Sequence, residues 1–127
     1  MKILSIIETP YRGTLEEQDD AALWLTHAVK NAGDDEFGIL LRGNAVNYAL
    51  KDQNPGGLRI GSLSIERPCK PDRDLLGMKA VGMTIHVVRE DLADRGISPD
   101  KVVADFELVG RDQITDIVCQ YDHVWHW

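Results

Sequence analysis

The sequence has only two cysteines, Cys69 and Cys119, and aromatic residues make up just 6% of its 127 positions. Two thiols cannot build a disulfide framework or the cysteine-rich ligand set of a structural zinc site. One bridge between them is conceivable, but a cytoplasmic chain keeps its thiols reduced. No apolar run approaches the roughly 20 residues that a membrane-spanning helix needs. The start, MKILSIIETP, has one lysine, a short apolar stretch and no small-residue cleavage site. It therefore reads as a first strand rather than a signal peptide, and a cytoplasmic location is expected. Excess positive charge is missing too: the net charge is −7, which repels a phosphate backbone and speaks against nucleic acid as a partner. No glycine-rich phosphate loop follows any strand, so no nucleotide cofactor is implied. His123 and His126 make no convincing metal pair, and no Ser-His-Asp arrangement can be argued.

What is present fits one α/β domain covering residues 1–127. Lys2 to Ile7 (KILSII), Phe37 to Leu41 (FGILL) and Thr84 to Val88 (TIHVV) are short, nearly continuous apolar runs, the pattern of strands buried on both faces. Ala104 to Val109 and Asp122 to Trp127 read as two more strands. A helix is expected to begin near Thr14 to Gln18, with Ala21, Ala22, Leu25, Ala28 and Val29 inward and Gly33 as its left-handed cap. Asn44 is the expected N-cap of a short helix carrying Ala45, Val46, Ala49 and Leu50. Further helices are expected at Asp72 to Val81, Glu90 to Arg95 and Gly110 to Cys119. Leu58, Ile60, Leu63 and Ile65 alternate around Gly61-Ser62 as in a small hairpin. Strands alternating with helices imply right-handed crossovers and a mainly parallel sheet covered on both faces.

Four segments resemble the DsrE/DsrF-like family, which includes TusD-type and YchN-like sulfur-relay proteins. They are KILSIIETPYRGT, ILLRGNAVNYALKDQNPG, VVREDLADRGI and ADFELVGRDQITDIVCQYDHVWHW. The resemblance implies a three-layer sandwich around a five-stranded parallel sheet, assembly as a homotrimer or homohexamer, and transfer of sulfur as a cysteine persulfide to a relay partner. It breaks at the reactive position. Counted back from Arg95-Gly96, the family's active cysteine falls on Val88, and a second position falls on Asp91. Valine cannot hold a sulfane sulfur, and an aspartate is a poor acceptor for one.

Val88 is expected at the carboxyl edge of a parallel sheet, where open α/β folds bind ligands. Glu90 and Asp91 would cap the following helix, or Asp91 could join His86, Arg89 and Arg95 in a polar pocket. Tyr11 and Arg12 follow the first strand, and with Asn44 they could line the same cleft or simply form turns. His86 alone on a strand suits a hydrogen-bonded structural residue. Cys69 lies in a rigid, locally cationic loop where Arg67, Lys70 and Arg73 could lower its pKa, making it either an ordinary loop thiol or a relocated sulfur carrier. Tyr121, His123, Trp125 and Trp127 would share one face of the last strand, and the tryptophans would make a subunit contact or cover the core. Three functions are thus open: a non-catalytic binding subunit, a carrier using Cys69, and a small-molecule enzyme using Asp91, Arg95, His86 and Tyr11.

Overall fold

The structure is a computed structural model that describes residues 1–12 and 19–127. β1 (Lys2–Ile7), β2 (Glu36–Leu41), β5 (Thr84–Val88), β6 (Glu107–Val109) and β7 (His123–His126) form one parallel sheet in the order β6-β5-β2-β1-β7. β3 (Leu58–Ile60) and β4 (Leu63–Ile65) form a separate antiparallel hairpin. The apolar runs found in the sequence are the central strands, because both faces of β1, β2 and β5 are covered and polar alternation has no solvent side to serve. Each fully buried Leu or Ile there contributes about 1.5–3 kcal/mol.

One face carries the main core: Ile3, Ile7, Phe37, Ile39, Leu41, Ile85 and Val87 pack beneath α1 (Ala21–Ala32) and α2 (Pro71–Ala80). The other face is a smaller cluster of Leu4, Ile6, Leu40, Val88, Val109 and Ile117 under the short α4 (Ile114–Val118). Asp20 starts α1 by accepting from the Leu23 amide at 3.0 Å. α2 is opened by Pro71 and has Asp72 and Asp74 in its first turn and Lys79 in its last, each sign favoured by the helix dipole.

Several local expectations are corrected. The anticipated helix start at Thr14 to Gln18 lies outside the described residues. Gly33 is extended (φ −149°), not left-handed. The inner stripe of α1 runs through Ala22, Leu23 and Thr26, while Ala21 is exposed; Thr26 faces inward because Ser5 on β1 offers its hydroxyl a partner at 3.1 Å. Gly43–Ala49 is a 3-10 helix capped by Arg42, so Asn44 is not its N-cap. The last helix is preceded by a separate 3-10 turn (Arg111–Gln113), and β6 is half the expected length. Tyr121 precedes β7 and packs on the α4 side, over Gly38, where a Cβ would overlap its ring. Trp125 and Trp127 face the main core instead, and the Trp127 Nε1–H donates to Ser5 Oγ at 3.0 Å. Within this chain the indoles act as core cover.

Candidate functional site

The carboxyl ends of β2, β5 and β6 converge on one carboxylate. α3 (Arg89–Asp94) starts directly after Val88, which places Asp91 in its first turn. Neither Glu90 nor Asp91 caps that helix. Asp91 reaches sideways instead: its Oδ2 accepts from the Gly43 amide at 2.7 Å and its Oδ1 from Arg111 Nη2 at 2.5 Å. Arg111 also donates to Asp94 Oδ2 at 3.0 Å, and its own amide donates to Glu90 Oε2 at 2.8 Å. Arg95 closes the group, donating to Asn44 Oδ1 and to the Asp91 carbonyl, both at 2.9 Å. Burial works against the Asp91 charge, but the Gly43 amide and the Arg111 guanidinium outweigh it and hold the carboxyl below its usual range. Gly43 is needed here: its φ is +56°, and a Cβ would crowd Glu8 at 3.3 Å.

Val88 does stand at the carboxyl end of β5, but its side chain is fully buried in the smaller cluster. His86 sits two residues earlier on the same face, inside the sheet rather than at its edge. Its Nδ1 lies 3.3 Å from Glu107 Oε2 without hydrogen-bond geometry, and burial lowers its pKa, so it is neutral at pH 7. Arg89 is exposed and donates to the Leu108 carbonyl at 3.3 Å. Of the residues proposed from sequence, the structure therefore brings together Asn44, Asp91 and Arg95 and leaves His86 and Arg89 outside. Gly43 and Arg111 are the members that sequence reading missed.

Tyr11 and Arg12 belong to a second group, on the main-core side. Tyr11 takes a left-handed conformation (φ +63°), unusual for a bulky residue, and its amide donates to the buried Tyr48 hydroxyl. Tyr48 in turn donates to Asp20 Oδ2, which also accepts from the Arg12 amide at 3.2 Å. Burial, then the bond to Asp20, raises the Tyr48 pKa. Cys69 lies nearby, with Sγ 3.5 Å from Asp74 Oδ2. The sequence neighbours Arg67, Lys70 and Arg73 do not lower this thiol: burial first, then the Asp74 carboxylate, push Cys69 up to about 12, which disfavours the thiolate. Burial also raises Asp74, with Asp19, Asp20 and Asp72 adding to it.

Clefts among the described residues open on this side. One, of about 270 Å³, runs between α1 and α2 and includes Asp19, Asp20, Trp24, His27 and Asp74. The other, of about 580 Å³, has Lys51, Lys70, Asp72 and Arg73 among its walls. Among the described residues no His, Cys, Asp and Glu group could hold a metal ion, and no helix is long and apolar enough to cross a membrane.

The whole arrangement superposes on YchN from E. coli with a TM-score of 0.76, covering 99% of this chain and 98% of that one at 18% identity. This chain has a DsrE-like fold. MTH1491 from Methanobacterium thermoautotrophicum, a protein of unknown function, shares it with a TM-score of 0.61 and 14% identity, over 99% and 97% of the two chains. No family model and no curated protein matches the sequence. The Asp91 group lies at the carboxyl ends of β2, β5 and β6, and Cys69 lies beside Asp74, away from that group's hydrogen bonds.

Proposed function

We infer that this chain is a divergent DsrE-like protein of the sulfur-relay kind that serves as a non-catalytic binding subunit within a homotrimer or homohexamer. One observation carries the reading: the polar groups following Val88 are already committed to one another. Asp91 is held by Gly43 and Arg111, and Arg95 by Asn44. Such a closed set supplies charge and shape for recognition but no spare nucleophile, and the side chain at Val88 has no atom that can carry sulfur. The exposed members, Asn44, Arg95 and Arg111, suit a protein partner of the relay. A carrier role for Cys69 is disfavoured because the thiolate is the attacking form and this thiol keeps its proton.

The test is sulfur uptake. Cys119 is exposed and would accept sulfur nonspecifically, so the experiment uses the Cys119→Ser background. That protein, incubated with one equivalent of inorganic polysulfide, is expected to keep its mass. A one-sulfur increment that disappears on adding Cys69→Ser would replace this reading with that of an active carrier.

A further inference from the structure

The larger cleft, of about 580 Å³, gathers positive charge in an acidic chain. Its walls are the loop after the Gly43–Ala49 helix, the start of α2, and Val103-Ala104 ahead of β6. With 21 acidic side chains against 14 basic ones, a cation here has acids to spare as partners. Lys51, Lys70 and Arg73 nevertheless line this one cleft, and among the described residues none of them is in an ion pair. Lys51 acts on Asp100 only through space. The wall is also held in shape. Gln53 Nε2 donates to the carbonyls of Asn47, Tyr48 and Leu50 at 3.1, 3.0 and 2.8 Å, and the Lys51 amide donates to the Lys101 carbonyl at 2.9 Å. A loop fixed in this way needs little ordering when a ligand arrives.

A second observation concerns Asp72, in the first turn of α2 and on the same wall. It is 5% exposed; its Oδ2 accepts from the Gln53 amide at 3.2 Å, while its buried Oδ1 has no hydrogen-bond partner among the described residues. A buried carboxylate oxygen without a donor is costly, so the cleft is complete only with a group that donates to it. We propose that this cleft binds a small hydroxylated phosphate ester, its phosphate held by Lys51, Lys70 and Arg73 and one hydroxyl donating to Asp72 Oδ1. Arginine grips phosphate through its planar fork and lysine as a point charge. Three cations outweigh the two wall carboxylates, Asp52 and Asp72, which favours a dianion over a single carboxylate. The unmet acceptor separates an ester with hydroxyls from bare phosphate. The volume is in the range of small-molecule sites. None of these residues belongs to the Asp91 group, so the proposal stands apart from the binding-subunit reading.

The test is titration calorimetry on the full chain at low ionic strength, where charge recognition is least screened. The probes are ribose 5-phosphate, inorganic phosphate and ribose. Ribose 5-phosphate is expected to bind saturably and about tenfold more tightly than inorganic phosphate, and ribose not to bind. Lys70 makes no side-chain cap bond and Arg73 is exposed, so Lys70→Ala with Arg73→Ala keeps the helix. That double variant should lose at least about tenfold in affinity for both phosphates. Asp72→Asn, with circular dichroism as its folding control, should bring ribose 5-phosphate to within about threefold of inorganic phosphate. A wild type that binds the ester no more tightly than inorganic phosphate overturns the part given to Asp72, whether or not the Asp72 variant folds. A wild type that binds neither phosphate, or a double variant that binds both as the wild type does, overturns the site. Neither result bears on sulfur uptake.

Discussion

Asp91 and Asp20 are both buried carboxylates near the carboxyl side of the sheet, yet they are satisfied in opposite ways. Asp91 has a guanidinium partner and an amide donor, and its charge is stabilised. Asp20 is met by two backbone amides and a tyrosine hydroxyl, and among the described residues neither it nor Asp74 has an ion-pair partner. Around Asp20 the ionised forms of the neighbours are disfavoured: Tyr48, Cys69 and Asp74 are all shifted upward, burial being the largest cause for each. The Asp91 group is thus a set of fixed charges that locks three strand ends together. The Asp20 group is a set of neutral donors around acids, with the electrostatic strain that follows. The difference separates a group of paired charges from a group of hydrogen-bonded donors around unpaired acids.

The sharpest way to break this contrast is to remove each carboxylate. Asp20→Ala deletes a helix cap, about 1 kcal/mol, and strands the buried Tyr48 hydroxyl, about 1–3 kcal/mol more. A total near ~3 kcal/mol is expected in urea unfolding. Asp91→Ala should cost less, roughly 1–2 kcal/mol, because Arg111 is half exposed and can return to water. Equal losses, or a larger one at Asp91, would show that the two groups are not built differently.

How much of this was legible in the sequence depends on whether a feature was local. The strands at Lys2–Ile7, Phe37–Leu41 and Thr84–Val88 were readable because burial on both faces imposes its own composition. The hairpin was readable from alternation about Gly61-Ser62. Asn44, Asp91 and Arg95 were named from their side chains and strand-end positions, but Gly43 contributes only a backbone amide, which residue type does not signal, and Arg111 joins from the end of β6, at a separation no periodicity encodes. The surroundings of Cys69 were hidden for a similar reason. Arg67, Lys70 and Arg73 are its neighbours in sequence, whereas the groups acting on it are burial, Asp20 and Asp74. Asn44 looked like a cap because its residue type fits, but the chain turns one step earlier, at left-handed Gly43.

The next effect is alkaline. The folded-state pKa of Cys69 rises from an ordinary value near 9.0 to about 12, and Tyr48 moves the same way. Between those values the unfolded chain has lost the thiol proton and the folded chain has kept it, so stability falls as pH rises from about 9 toward about 12. Cys69→Ala should remove part of that slope and leave the midpoint unchanged in its pH dependence below pH ~8. The measurement is the urea midpoint across pH 7–11; an unaltered alkaline slope would place Cys69 outside the proton-holding group.

The smallest effect tests the sign of the comparison itself. The Asp74 carboxyl is raised by burial and by neighbouring acids, so its folded-state charge is disfavoured. Its contribution is therefore most favourable at low pH and is lost as pH climbs from the usual carboxylate range through the raised folded value. Asp74→Asn keeps the shape without the charge and should be neutral or stabilising by no more than ~0.5 kcal/mol at pH 7, since the side chain is only half buried and solvent screens it. Asp91→Asn should do the reverse: its folded value is lowered, so its stabilisation is present at pH 7 and is lost only as pH falls below the usual carboxylate range. Urea unfolding of the two variants at pH 7 and pH 4 separates the cases. If Asp74→Asn destabilises at pH 7 as Asp91→Asn does, the Asp74 carboxylate has a cationic partner, and the contrast between the two groups is lost.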